Sequence, residues 1–110
     1  MMDRRELASK FVSESKKIMG ASLDKAILYG SCARGEENVN SDIDIFFLTT
    51  LPENAIRPIE NELFDLAFDF EMDYAVPISV IVKNTYFYRD WVNVLPFYMN
   101  IEKEGIILNE

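Results

Sequence analysis

Apolar side chains repeat along much of the chain at the spacing of an amphipathic helix. The first such segment opens with Asp3, a typical N-cap, and carries Glu6 at the capping-box position. In the second, Pro58 suits a first turn better than a helix interior, which predicts a start near Arg57. Pro96 interrupts the third. The predicted helices cover residues 3–19, Pro52–Tyr74 and 84–104.

Short apolar runs bounded by turn residues separate these helices, a pattern typical of β-strands. The second run is apolar on both faces in its last half, as expected of a central strand that is covered on both sides. The predicted strands are Lys25–Tyr29, Asp42–Thr49, Ile78–Val82 and a short edge strand at Ile106–Leu108. The alternation predicts an α/β (α+β) fold, a small mixed sheet of three to four strands flanked by helices, with residues 1–110 as a single domain.

Composition narrows the chemistry that this fold can perform. The formal net charge of −8 argues against an extended nucleic-acid footprint, which needs clustered Lys and Arg. The absence of His excludes Ser-His-Asp and Cys-His catalysis and His-ligated zinc. The lone Cys32 fits a reducing, cytoplasmic setting, and a small filler position better than a nucleophile. No apolar run is long enough to span a membrane, and no secretory signal is visible.

An aromatic segment follows the third strand. Its members are Tyr86, Phe87, Tyr88, Trp91, Phe97 and Tyr98. We expect most of them in the core, but so many rings are hard to bury in a chain of 110 residues, so a hydrophobic contact surface is the alternative. Platforms for base stacking are less favoured, because the segment lacks a basic track.

The strongest functional signal lies in Tyr29–Phe46, which joins the first two strands. Gly30 follows the first strand directly, so the backbone can turn sharply there and a ligand can approach closely. Ser31 stands at a predicted helix N-terminus, where backbone N–H groups and the hydroxyl form an anion site. Arg34, one turn further on, is either a phosphate ligand or the partner of Glu36 or the next glutamate in a surface ion pair.

An acidic pair completes this stretch. Asp42 and Asp44 stand two residues apart on a predicted strand, which points both to one face with Cα atoms roughly 6.5–7 Å apart. Two ionised carboxylates on one face repel each other unless a cation joins them. Oxygen ligands without His or Cys suit Mg²⁺ or Mn²⁺. A phosphate cradle beside such a pair predicts metal-assisted phosphoryl or nucleotidyl transfer.

These residues together resemble the GSxARG…SDIDI signature of the polymerase-β-like nucleotidyltransferases, and specifically the short minimal nucleotidyltransferase (MNT-type) group. The matching residues are Gly30, Ser31, Ala33, Arg34, Gly35, Ser41, Asp42, Ile43, Asp44 and Ile45. The nucleotide-binding residues that the resemblance implies are Gly30, Ser31, Arg34 and Ser41, and the implied catalytic metal ligands are Asp42 and Asp44. It also implies a small mixed sheet flanked by helices, an NTP substrate for which ATP is the first choice, and attack on the α-phosphorus by a hydroxyl.

Members of that group usually carry a third carboxylate on the next strand, which binds metal and helps to deprotonate the attacking hydroxyl. In this chain Ser79 occupies that position, and a serine cannot act as the base at neutral pH. Asp73, at the end of the preceding helix, is the candidate best placed to swing in, ahead of Asp69 and Glu71. Nucleotide and metal binding is therefore the firmer prediction, and turnover is conditional on a base from elsewhere.

The leading hypothesis is a Mg²⁺-dependent nucleotidyltransferase that moves a nucleoside monophosphate from an NTP to a hydroxyl. The resemblance implies an acceptor on a protein partner, a helical HEPN-type protein, and a toxin–antitoxin role for the pair. A second hypothesis is a nucleotide- and metal-binding module that acts by holding a partner without turnover. A third is a scaffold without nucleotide affinity.

Overall fold

The computed structural model describes residues 2–38 and 40–109, in which helices flank one mixed sheet. The helices are α1 (Arg4–Met19), α2 (Ser31–Arg34), α3 (Glu53–Tyr74), α4 (Thr85–Trp91) and α5 (Pro96–Glu104). The strands are β1 (Leu23–Tyr29), β2 (Ile43–Thr49), β3 (Ile78–Asn84) and β4 (Ile106–Ile107). A 3₁₀ turn, Gly20–Ser22, joins α1 to β1. The predicted order of elements is confirmed.

The sheet has the strand order β3-β2-β1-β4. β1 and β2 pair antiparallel, with Tyr29 opposite Asp44. β2 and β3 pair parallel, with Asp44 opposite Ser79, and α3 forms the crossover between them. Three adjacent strands therefore bring Tyr29, Asp44 and Ser79 side by side.

The two faces of the sheet carry different cores. On one face, α1 and α3 pack through residues such as Phe11 and Phe70 against Phe47, which points to the same side as Ile43 and Ile45. The other face carries α4 and α5, and its buried residues are Ile27, Phe46, Leu48, Tyr88, Tyr98 and Ile101. We call this second side the aromatic face. Because side chains alternate along a strand, Asp44 shares the aromatic face with Phe46.

The helix starts follow local hydrogen bonding. The Asp3 carboxylate accepts from the Glu6 N–H at 2.8 Å, so the predicted N-cap of α1 is confirmed. The predicted start of the long helix near Arg57 is wrong, because α3 begins at Glu53 and Pro58 lies inside it. Pro58 lacks the N–H that would bond to the carbonyl four residues earlier, but this part of the helix surface is exposed and water can satisfy that carbonyl.

Two strands are longer than predicted. β1 begins at Leu23, two residues early, because Leu23 pairs with Thr49 across an irregularity in the register. β3 continues to Asn84, since its pairing with β2 runs to that residue. The Asn84 side chain then caps α4 by accepting from two backbone N–H groups at 3.0 Å. Pro96 occupies the first turn of a separate helix, α5, rather than interrupting one helix.

The expectation that most of the aromatic segment is core is wrong. Tyr88 and Tyr98 are each only 5% exposed, and they form the centre of the aromatic face. Four others remain exposed: Tyr86, Phe87, Trp91 and Phe97. The reason is that α4 and α5 are short helices, so each directs one or two rings to the sheet and the rest outward. Within the described chain, no helix is long and apolar enough to cross a membrane.

Candidate active site

Gly30 directly follows β1 and has a backbone conformation that essentially only glycine adopts, with φ 75° and ψ −157°. The side chain of Asp44 lies against its α-carbon. A Cβ built on Gly30 would overlap Oδ2 of Asp44 and come within 3.3 Å of its Cγ. α2 starts at the next residue, Ser31. The turn that begins the predicted phosphate cradle and one member of the acidic pair are therefore in contact.

The two members of the acidic pair differ in environment. Asp42 is exposed and lies one residue before β2, which the prediction had included in the strand, whereas Asp44 is half-buried. Burial raises the pKa of Asp44, the charge of Asp42 raises it further, and the Arg34 guanidinium lowers it. The two carboxylates thus repel each other, as the i, i+2 spacing predicts. A divalent cation between them would remove this repulsion.

Arg34 forms ion pairs with two glutamates. Its Nε lies 2.7 Å from Oε1 of Glu36, and one terminal nitrogen lies 3.4 Å from Oε2 of Glu104 on α5. The alternative of a surface ion pair is therefore confirmed for Glu36. Exposed pairs of this kind contribute only about 0–1 kcal/mol, so a phosphate group can compete for the guanidinium. Contact between Arg34 and a phosphate stays a prediction.

A small network fixes the backbone at Asp42. The Ser41 hydroxyl accepts from the Asn38 N–H at 2.9 Å, and Arg4 on α1 donates to the Ser41 carbonyl at 3.0 Å. The buried thiol of Cys32 donates to the Asp42 carbonyl at 3.4 Å. Burial raises the pKa of Cys32, which keeps it protonated and agrees with the predicted filler role. Ser41 thus closes the loop, and its contact with nucleotide stays a prediction.

Of the residues that the structure describes, Ser79 lies beside the acidic pair, but no third carboxylate does. Ser79 is exposed and stands beside Asp44 on the neighbouring strand, pointing to the same face. Asp73 lies on α3, on the opposite face of the sheet, where its charge acts on Lys10 of α1. The sheet lies between Asp73 and the acidic pair in this structure, so a role for Asp73 as the base would require a movement and stays a prediction. Among residues 2–38 and 40–109, no three His, Cys, Asp or Glu side chains are grouped to hold a metal ion.

Sequence reasoning missed a groove of about 250 Å³ beside the acidic pair. One wall is the end of β1 and α2, and the other is a single face of α5. The lining includes Tyr29, Gly30, Arg34, Phe97, Asn100 and Glu104. Burial, together with the charge of Asp44, raises the pKa of Tyr29 to about 12, so its phenol stays protonated. The available signal was the i, i+3, i+7 spacing of the three α5 residues, which places them on one helix face.

Comparison with known protein families identifies the family of this chain. The model of the nucleotidyltransferase domain matches residues 5–108, nearly the whole chain. The chain belongs to the nucleotidyltransferase domain family. The match includes β1, α2 and β2, the elements that carry the GSxARG…SDIDI motif, and it confirms the resemblance on which the enzyme class was predicted. Nucleotidyltransferases generally use a divalent metal ion.

Individual relatives agree with the family assignment. A Methanocaldococcus jannaschii protein named "Putative protein adenylyltransferase MJ0604" is 28% identical over 107 residues, which cover 97% of this chain and 99% of that protein. A crystal structure described as a "putative nucleotidyltransferase" from Sulfolobus solfataricus superposes with a TM-score of 0.58 at 22% identity, covering 92% of this chain and 75% of that one.

A second similar structure is a complex of a tri-AMPylated Shewanella oneidensis HEPN toxin with an MNT antitoxin. Its TM-score is 0.50 at 15% identity, and the match covers 96% of this chain and 71% of the matched chain of that complex. At these identities the solved structures establish the fold alone. They confirm the predicted mixed sheet flanked by helices.

Proposed function

We propose that this nucleotidyltransferase transfers a nucleoside monophosphate from a Mg²⁺-bound NTP, with ATP as the first choice, to a hydroxyl on a partner protein. The observation that carries the proposal is the contact between Gly30 and Asp44. This contact places the start of α2, where the predicted phosphate cradle lies, next to two carboxylates that repel each other. A Mg²⁺-bound NTP complements both parts of the site: its phosphates are anions for the cradle, and its cation is the counter-charge for the two carboxylates.

The donor set fits Mg²⁺ or Mn²⁺. Asp42 and Asp44 offer only carboxylate oxygens, and hard divalent cations prefer such ligands. Mg²⁺ is typically held by one or two carboxylates, with substrate phosphates and water completing its shell. Two protein ligands are therefore sufficient for a site that forms together with the nucleotide. The cation would neutralise charge on the phosphates and favour attack at phosphorus.

The residues of this chain have separable roles in the proposed transfer. Gly30 and Ser31 hold the β- and γ-phosphates, while Arg34 exchanges its glutamate partners for a phosphate oxygen. Asp42 and Asp44 would hold the cation, which would position the α-phosphate for attack by the acceptor oxygen. The new bond joins that oxygen to the α-phosphorus, the bond to the β-phosphate oxygen breaks, and pyrophosphate leaves. Ser79 cannot accept the hydroxyl proton, so a base on the acceptor or solvent takes it.

A protein acceptor is favoured by charge and by the relatives. The net charge of −8 disfavours a long nucleic acid as the acceptor. The similar M. jannaschii protein is named as an adenylyltransferase of proteins, and the similar Shewanella complex contains an AMPylated HEPN toxin. We therefore propose a helical, HEPN-type partner and a toxin–antitoxin role. A reducing, cytoplasmic setting fits the free buried thiol of Cys32.

One observation favours a second candidate function. Ser79 stands where a third carboxylate would complete the site, and Asp73 lies across the sheet. A protein with this arrangement can bind a metal–nucleotide complex and hold a partner while transferring the nucleotidyl group very slowly or not at all. The two candidates share the binding step and differ only in turnover.

The test measures binding and turnover separately. The chain is titrated with Mg·ATP by calorimetry, then incubated with Mg²⁺ and labelled NTPs, with and without an HEPN-type partner. We expect Mg²⁺-dependent binding, and pyrophosphate release with label transfer when the partner is present. Asp44→Asn should abolish both, whereas Asp65→Asn, an exposed charge-matched control on α3, should change neither. Binding without pyrophosphate release for any NTP or partner would support the second candidate, and no binding would contradict both.

A further inference from the structure

The groove beside the acidic pair has two chemically different ends. At one end Gly30 and Arg34 belong to the predicted phosphate cradle. At the other, Phe97 and Asn100 on α5 supply an aromatic ring and an amide. The groove volume of about 250 Å³ is below the roughly 300–1,000 Å³ of pockets that enclose whole drug-sized ligands, and it suits one planar ring system.

The aromatic end is held in place by its neighbours. The Phe97 ring packs edge-on against Tyr29 and Phe46, with ring centroids 5.6 and 5.9 Å away, yet it remains 41% exposed. Next to it, Glu104 forms an exposed ion pair with Arg34. A rigid ring that keeps a large exposed surface beside polar hydrogen-bonding groups is the arrangement on which nucleobases stack.

The position of the groove also fits a nucleotide. Tyr29, which lines it, pairs with Asp44 across β1 and β2, so the groove opens directly beside the proposed site of the α-phosphate. Asn100 can both donate and accept a hydrogen bond, which matches the edge of a purine base. The basic track that the aromatic segment lacks in sequence is replaced here by one residue, Arg34, brought in from α2.

We infer that the groove between α2 and α5 is the nucleobase subsite of the NTP, with the base stacked on Phe97 and its edge bound by Asn100. This inference rests on the proposed nucleotide site, because the base can occupy the groove only if the triphosphate lies at Gly30 and the acidic pair. It gives α5 a direct role in substrate recognition, which the motif in Tyr29–Phe46 does not indicate.

Two probes separate the base from the phosphates. Binding of Mg·ATP and of Mg²⁺ with inorganic tripolyphosphate is measured by calorimetry for the wild type and for Phe97→Ala, Phe97→Leu and Asn100→Leu. We expect ATP affinity to fall about 5- to 150-fold in Phe97→Ala, the range for loss of one stacked base, and about 2- to 10-fold in Asn100→Leu. Tripolyphosphate affinity should stay unchanged in all three.

A matched control guards against a folding effect. Phe87 is 42% exposed and packs on Tyr98, but it does not line the groove, so Phe87→Ala should leave ATP binding unchanged. Phe97→Leu keeps apolar packing while removing the ring, and its thermal midpoint reports whether the fold is intact. Equal loss of ATP and tripolyphosphate binding, or no loss of either, in folded Phe97 variants would overturn the nucleobase subsite. A wild type that binds neither probe would instead overturn the proposed function, and the subsite with it.

Discussion

Substitution of Gly30 by alanine separates backbone strain from loss of the site. Gly30 and Gly20 adopt nearly the same unusual conformation, with φ and ψ of 75° and −157° against 57° and −138°. Alanine in that region costs on the order of 1–3 kcal/mol at either position. Their surroundings differ. Among the described residues, apart from its chain neighbours and the backbone of its own helical turn, nothing lies within 4 Å of a Cβ built on Gly20, whereas one built on Gly30 overlaps Asp44.

The overlap at Gly30 involves the end of a side chain, which can rotate. The Asp44 carboxylate can turn away from a new methyl group, so Gly30→Ala should cost little more stability than Gly20→Ala. A carboxylate that has turned away no longer stands beside Asp42 to share a cation. We therefore expect Mg·ATP affinity to fall about 10- to 100-fold, the loss typical when the support of a metal ligand is altered. Gly20→Ala should bind Mg·ATP like the wild type.

The assay combines chemical denaturation with calorimetric titration of Mg·ATP. Similar free energies of unfolding for the two variants, with binding lost only in Gly30→Ala, would support the reasoning. Gly30→Ala that folds and binds Mg·ATP within twofold of the wild type would refute it, because the contact with Asp44 would then have no part in the site. Equal loss of binding in Gly20→Ala would refute it as well.

Three further predictions follow from the acidic pair and the aromatic face. Ser79→Asp adds a like charge beside Asp44, so without divalent cation it should lower the midpoint of thermal unfolding by about 2–6 °C. Addition of Mg²⁺ should restore the midpoint, and no response to Mg²⁺ would count against a shared cation site. Asp44→Asn removes a half-buried charge that Asp42 repels, so we expect the free energy of unfolding to stay unchanged or to rise by up to about 1 kcal/mol. Mg·ATP binding should be lost completely. A marked loss of stability would contradict the repulsion between the two carboxylates. Burial and a 2.6 Å hydrogen bond to Glu102 raise the pKa of Tyr88 above its unfolded value, so its contribution to stability is full below about pH 10 and is lost as pH rises further. Tyr88→Phe should flatten this alkaline decline in denaturation curves, and an unchanged slope would exclude Tyr88 as its source.

Local chemistry made much of the fold predictable. Asp3 and Asn84 act as caps because each side chain bonds to backbone N–H groups only two or three residues away. The Gly30 turn and the i, i+2 spacing of Asp42 and Asp44 are equally local, so the motif could be placed between two neighbouring strands. Each of these features is determined by residues that are close together in sequence, so it can be predicted without knowing the tertiary structure.

The choice of sheet face was not predictable in the same way. Asp73 is close to β3 in sequence, but the phase of α3 and its packing with α1 put it on the side away from Asp44. The groove depends on a contact between Arg34 and Glu104, 70 residues apart. No local pattern encodes which face α5 covers, because that follows from how the whole aromatic face packs.

The parallel pairing of β2 and β3 has an evolutionary consequence. It sets residue 79 next to Asp44 on an exposed strand position, where either a hydroxyl or a carboxylate fits without repacking the core. A carboxylate at this position would cost only its repulsion with Asp44, which a bound cation offsets, so the fold can accept either side chain while the proposed chemistry distinguishes them. Under the proposed mechanism, a single exchange at this position would let proteins of one architecture gain or lose turnover, so we expect residue 79 to distinguish active from inactive forms.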